Sequence, residues 1–201
     1  MVRYFTADDH FGHANILHFG EGRPFRSLSH MHTEIINRHN MIVSRDDDVY
    51  FLGDIAMGSF EETIKLFKRM NGNKFLVPGN HEKIFSGANT HKRIATFTPL
   101  YEKAGFTILP ENTSIFINGQ KVIMSHFPYY GDHVGVERFV DNRPKFEGLP
   151  LLHGHTHQQM KTVASDDLMF HVGVDSNDYK PVSETEIAEW IADLKKRKLI
   201  K

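Results

Sequence analysis

The chain has 201 residues, 40% of them hydrophobic and 24% charged, which fits a globular protein and a single domain over residues 1–201. A formal net charge of −1 excludes a global electrostatic pull toward nucleic acid or an anionic membrane. No apolar run approaches the ~20 residues that span a bilayer, and the N-terminal residues lack signal-peptide organisation. Cysteine is absent, which rules out disulfides and thiolate metal sites and suits a reducing cytoplasm; the 14 histidines, scattered along the chain, are the unusual entry in the composition.

Residues 2–7 read as a first strand. Over 29–43, Met31, Ile35, Ile36 and Ile42 form a helical face. A strand at 48–52 precedes a helix at 60–70, with Ile64, Phe67 and Met70 on one stripe and Gly72 as its stop. A strand at 74–77 and a helix at 91–104, with a weak point at Pro99, complete a βαβαβ order that argues for a buried parallel sheet. The second half changes style. Segments 113–117 and 121–125 flank Asn118-Gly119, a strong hairpin signal. Short strands at 149–153, 161–164 and 168–172 continue as an antiparallel meander. Ser183-Glu-Thr-Glu186 then opens a final helix with capping character, carrying Ile187, Trp190, Ile191 and Leu194 on one face. Two sheets packed face to face, with helices outside, satisfy this pattern. Residues 127–148 form a long irregular segment, which in a compact domain is either functional or disordered.

Five polar clusters stand out: Asp8-Asp9-His10, Gly53-Asp54, Gly79-Asn80-His81-Glu82, Ser125-His126 and Gly154-His155-Thr156-His157. Each follows a short apolar run, as if it sat at the carboxyl end of a strand, where α/β folds gather ligands. The residue types suit a pair of divalent cations. Two cations close together need a bridging anion, which a carboxylate such as Asp54 supplies. Neutral imidazoles and the Asn80 carboxamide add ligand atoms without adding charge. Mixed His, Asp and Asn donors suit Mn, Fe, Ni or Zn, and a metal pair activates a water and clamps a phosphoryl group.

In this order the clusters resemble the calcineurin-like metallophosphoesterases, whose signature is DxH, GD, GNH[DE], H and GHxH. The match runs from Asp8 to His157. Asp9-His-Phe-Gly-His-Ala-Asn-Ile16 with Arg23-Pro24-Phe25 is similar to the small single-domain enzymes of bacteria and phages. The resemblance implies a four-layer α/β/β/α sandwich of two mixed sheets flanked by helices. It also implies two transition-metal ions, manganese first and Fe, Ni or Zn as alternatives. Asp8, His10, Asp54 and His157 would hold one ion; Asp54, Asn80, His126 and His155 would hold the other, with Asp54 shared. His81 would assist the leaving group while a metal-activated hydroxide attacks phosphorus. One departure is informative. Protein serine/threonine phosphatases read GDxxDRG, whereas here Met57 replaces the second Asp and no Arg follows, which counts against a phosphoprotein phosphatase.

The expected function is a phosphodiesterase on a nucleotide-like or nucleic-acid-derived substrate. The alternatives are a phosphomonoesterase on a small metabolite and a non-catalytic metal-binding scaffold. No membrane and no obligate protein partner is expected. His13 is a candidate substrate contact, and Arg23, Arg26 and Arg143 are candidate phosphate grips, because guanidinium forks match phosphate oxygens. Tyr129, Tyr130 or Phe139 could stack on a base. His153, two residues before His155, falls on the same side of a strand. Lys195-Lys-Arg-Lys198 reads as the solvated, dipole-matched end of the last helix.

Overall fold

The computed structural model describes all residues except Glu21, His133, Val134 and 163–167. The elements in chain order are β1 (Arg3–Thr6), α1 (Leu28–Ile42), β2 (Asp48–Phe51), α2 (Phe60–Thr63), β3 (Asn73–Leu76), α3 (His91–Lys103), β4 (Phe106–Ile108), β5 (Asn112–Ile117), β6 (Gln120–Ser125), β7 (Leu151–His153), β8 (Met169–His171), β9 (Val182–Ser183) and α4 (Glu184–Lys196).

Two sheets result. The first has the order β4-β3-β2-β1-β9; its first four strands run parallel, and β9 joins antiparallel to β1. The second has the order β5-β6-β7-β8. Among its described strands only the β5–β6 hairpin is antiparallel, with Asn118 and Gly119 both at positive φ in the turn. The expected antiparallel meander is corrected at β6, β7 and β8, which run parallel. The connections explain the difference. Residues 126–150 and 154–168 are each long enough for the crossover that parallel neighbours require. The predicted strand at 161–164 lies partly outside the described residues, as does His133 of the long loop.

Side-chain alternation sorts the core into layers. Val49, Phe51 and Leu76 face Met31, Ile35, Phe60 and Phe67 beneath the helices. Their neighbours Phe5, Leu52 and Val77 face the other way, onto Val122, Met124, Leu152 and Phe170 of the second sheet, and Ile187 and Ile191 of α4 close this inter-sheet core. Burial of such side chains contributes ~1.5–3 kcal/mol each. On the outer face of the second sheet, Leu151, Met169 and Ile123 are covered by Tyr129 from the long loop.

Two helices differ from expectation in form. The segment expected as one helix over 60–70 is a single α-helical turn that passes into a 3₁₀ helix at Ile64–Arg69. Its apolar stripe, Ile64, Phe67 and Met70, has a spacing of three, which 3.0 residues per turn places on one face. Pro99 does not break α3; that helix lies at the surface, with Tyr101 its buried anchor, so water can satisfy the carbonyl that Pro99 leaves without a partner.

Candidate metal centre

Register brings the clusters together. In the first sheet Thr6 lies opposite Phe51 and Phe51 opposite Leu76, so β1, β2 and β3 end level. In the second, Met124 lies opposite Leu152 and His153 opposite His171. A parallel bridge between Ala7 and Gly173 joins the two sheets at this edge. The segments beyond the strands are then tied to each other: the Asp8 amide donates to Gly53 O at 3.0 Å, His10 to Asp54 O at 3.0 Å, and Gly154 to His126 O at 3.0 Å.

The turns at this edge are sharp. Asp8, His10, Asp54, His155 and His157 all have positive φ, between 49° and 69°, a conformation that costs an L-residue about 1–2 kcal/mol. The adjacent glycines answer a need for space. A Cβ on Gly53 would meet Gly79 Cα and His126 Nδ1 at 2.6 Å, and one on Gly154 would meet Asp8 Oδ2 at 2.6 Å. Backbones must approach that closely for the side chains to converge.

Two groups of ligand atoms result, Asp8/His10/His157 and Asp54/His126/His155, each with its atoms within 4.8 Å of one another. His10 Nε2 and His157 Nε2 face each other at 3.2 Å. Asn80 Oδ1 lies 3.1 Å from His126 Nε2 and 2.9 Å from His155 Nδ1, which puts the carboxamide in the second group. Asp54 Oδ2 stands between the groups, 3.3 Å from His126 Nε2 and 3.8 Å from His10 Nε2. Buried carboxylates and imidazoles converging with their lone pairs inward fit borderline divalent cations. The residues present therefore fit a metal-dependent centre.

Three carboxylates that sequence reasoning did not assign brace these groups. Asp175, in the 3₁₀ turn Val174–Ser176, lies 2.9 Å from His157 Nδ1. Asp132, from the long loop, lies 3.1 Å from His155 Nε2. Each occupies the second nitrogen of an imidazole whose first nitrogen faces the centre, the arrangement that fixes tautomer and ring orientation. Glu82 accepts from the amides of Gly79 (2.6 Å), Asp54 (2.7 Å) and Ile55 (3.0 Å), pinning two ligand turns together. Its position in the third cluster was visible in the sequence; its task was not. Asp175 repeats the pattern of the five clusters, since Phe170-His-Val172 is an apolar strand end followed by Gly173-Val-Asp175. Asp132 offers no such signal.

Electrostatics follow from this crowding. Burial works against the Asp54 carboxylate, yet the imidazoles of His126, His10 and His81 hold its pKa well below the ordinary value. Burial also opposes charge on His126, but Asp54 pushes it up to about 9. The two histidines of the last cluster diverge. Burial and then the His126 charge push His155 down to about 3. Burial acts the same way on His157, but Asp175 and Asp8 outweigh it and raise the pKa.

A cleft of about 80 Å³ opens over the two groups, lined by His10, Asp54, Asn80, His155 and His157 together with His13, His81, Phe19 and Arg138. His81 stands at its mouth, 41% exposed, with Nε2 3.8 Å from Asp54 Oδ2 and its amide donating to Asp54 Oδ1 at 2.9 Å. His13 lines the wall, its ring 5.4 Å from that of His10. The other expected substrate contacts do not line this cleft. Arg23 is buried behind the centre, paired with Asp175 at 2.8 and 3.0 Å and donating to the carbonyls of Asp8 and Asp9. Arg143 is buried in the long loop, bonded to Glu137 and to Arg138 O. Arg26 is exposed and outside the cleft lining. Tyr129 packs on the second sheet with its hydroxyl donating to Leu149 O at 3.0 Å. Tyr130 is 48% exposed on a different surface hollow. Phe139 packs with Phe127 and stands edge-on to His155 at 6.0 Å. His153 lies in neither ligand group and stands edge-on to His171.

The geometry agrees with what comparison finds. A model of the calcineurin-like phosphoesterase family matches residues 4–197. The gene 66 protein of Mycobacterium phage D29 is 29% identical over 199 residues, covering 95% of this chain and 96% of that protein. The gene 66 protein of Mycobacterium phage L5 is 30% identical over 197 residues, covering 86% of each. Among solved structures, AQ665 from Aquifex aeolicus, a protein of unknown function, superposes with a TM-score of 0.70 at 26% identity, covering 94% of this chain and 98% of that one. The chain belongs to the calcineurin-like phosphoesterases and is a metal-dependent phosphoesterase acting on phosphate esters.

Proposed function

We propose that this phosphoesterase is a phosphodiesterase acting on nucleotide-like or nucleic-acid-derived substrates at a dinuclear centre. Asp8, His10, Asp54 and His157 would hold one cation, and Asp54, Asn80, His126 and His155 the other. The observation that carries the dinuclear reading is the place of Asp54 Oδ2, between the two groups and within 3.8 Å of an imidazole of each. Two divalent ions there, manganese first and iron, nickel or zinc as alternatives, would supply an activated water and charge neutralisation at phosphorus. The chain's own residues do the rest. Glu82 holds the Asp54 and Asn80 turns at a fixed separation. His81, exposed at the mouth, is placed to give a proton to the departing oxygen. Phe127 and Phe139 seal the His155 side against water. Residues 1–201 act as one domain in this reading, and the cysteine-free composition supports a cytoplasmic setting.

The diester preference is supported by where the arginines lie. No guanidinium follows Asp54, and Arg23 and Arg143 are held in ion pairs away from the cleft. A monoester reading is favoured by one observation: Arg138 lines the cleft. Hydrolysis of bis-nitrophenyl phosphate against nitrophenyl phosphate separates the two, and faster turnover of the monoester would overturn the diester reading. In the same assay His81→Ala is expected to retain metal and to lose more rate on alkyl esters than on nitrophenyl esters, because a poor leaving group needs the proton more. Equal losses would remove the acid role.

No helix among the described residues is long and apolar enough to cross a membrane.

A further inference from the structure

Beside the metal cleft lies a larger pocket of about 280 Å³. The two share Ile16, Phe19 and His157 as a common wall. A phosphoryl group in the small cleft would therefore direct one of its substituents into the larger space. That volume is near the lower end for small-molecule sites, ~300 Å³, so it suits one ring system better than an extended chain.

The lining specifies the chemistry of the occupant. Arg23 and Asp175, which line the pocket, are bonded to each other through two of the three guanidinium nitrogens and both carboxylate oxygens. This pair adds little net charge of its own to the pocket. Phe19 is 43% exposed, its ring edge-on to His157 at 5.4 Å. Gln158, on the same lining, is held by two bonds: Thr156 Oγ1 donates to its carbonyl at 3.1 Å, and its amide donates to Met160 O at 2.7 Å. Gln159 adds a second, exposed carboxamide with one donor group and one acceptor. An aromatic platform and carboxamides lining one pocket are how proteins hold a nucleobase, by stacking on its π-face and pairing with its edge.

We propose that this pocket is the nucleoside subsite, receiving the neutral base attached to the phosphoryl group, with Phe19 as the platform and Gln158 and Gln159 at the base edge. The proposal rests on the diester reading above and names its substrate class. The aromatic contact thereby moves from the long loop, where Tyr129 is buried, to the turn that follows Ile16.

Two measurements on the manganese-loaded protein test it. The first compares kcat/KM for the nitrophenyl ester of thymidine 5′-phosphate with that for methyl nitrophenyl phosphate, which has the same leaving group. Wild type is expected to favour the nucleoside ester by about tenfold or more, the size of one stacking contact. In Phe19→Ala the ratio should fall to near one, and Phe19→Trp should restore it. No preference in wild type, or a preference that survives Phe19→Ala, overturns the subsite. The second measures binding of thymidine 5′-phosphate against inorganic phosphate by calorimetry. Tighter binding of the nucleotide, lost in Phe19→Ala, supports the subsite; equal binding in wild type overturns it. If neither diester is hydrolysed while nitrophenyl phosphate is, the diester reading falls, and the binding comparison alone decides the subsite.

Discussion

His155 and His157 stand two residues apart in one turn, yet their braces come from opposite kinds of structure. Behind His157 is Asp175, which sits in a 3₁₀ turn directly after a core strand. Its partner Arg23 has a side chain only 2% exposed and is bonded as well to the backbone of the first ligand turn. Behind His155 is Asp132, carried on the long loop and held by Arg138, whose side chain is 38% exposed. One half of the centre is thus part of the inter-sheet architecture. The other half depends on an irregular segment folding down onto it. The motif alone gives no hint of this asymmetry, because it supplies the inner nitrogens and not what holds the outer ones.

The comparison can be broken at its shared point first. Asp54→Ala removes the anion common to both groups and should have the largest effect, with both metals lost by elemental analysis and turnover falling below detection. A protein that still held two metals at undiminished rate would exclude Asp54 as the bridge. Asp175→Ala comes next. It should weaken metal binding by about 10–100-fold and also leave Arg23 buried without its counter-ion, a change that destabilises a fold by about 3–5 kcal/mol. Thermal unfolding of the chelated protein would show the second loss. Asp132→Ala should weaken metal binding by about the same 10–100-fold, with little change in unfolding, because Arg138 can turn to water. If the two variants unfold alike, the contrast between core-borne and loop-borne braces is wrong.

Acidity offers the gentlest probe. In the chelated protein His126 is raised to about 9, so its group contains an imidazole that holds a proton near neutrality, and the pKa of His157 is raised as well. A raised pKa stabilises the fold fully below the unfolded value and loses that contribution as pH climbs through the folded value. For the His126–Asp54 pair the loss therefore falls between the ordinary histidine value of ~6.5 and about 9. Metal must displace these protons. Affinity should then rise with pH up to about 9, by at most about tenfold per pH unit for each proton released. Calorimetry in buffers of different ionisation enthalpy counts the protons. His155, lowered to about 3, should contribute none, and release traced to it would reverse the assignment.

Much of this was legible in the residues. Three strands of the first sheet, β1, β2 and β3, and their parallel direction followed from hydrophobic pattern, because each is an apolar-rich run that ends in a buried residue before a polar turn. The ligand clusters were legible because each strand end repeats the same switch from apolar to polar. Strand direction in the second sheet was not, since a short strand carries no mark of which way its neighbour runs, and the deciding connections are irregular. Short edges escaped for a similar reason: β4 and β9 have three and two residues, too few for a period to show. The arginines illustrate a different limit. Whether Arg23 reaches a substrate or lies buried is decided by Asp175, 152 positions away, and no local pattern encodes that distance. Phe19 was passed over because a single phenylalanine beside glycines looks like any loop apolar residue until His157 folds against it.

The left-handed backbone at five ligand positions sets fold and activity against each other. Glycine relaxes a positive φ better than any other residue, so at Asp8, His10, Asp54, His155 and His157 the residue that would ease the turn is one that carries no ligand atom. Selection for a more heat-resistant fold, acting alone, would press on these positions first and empty the centre as it succeeded. Engineering for stability should therefore leave this edge of the sheets untouched and work on the outer helices, where a gain in stability does not remove a donor.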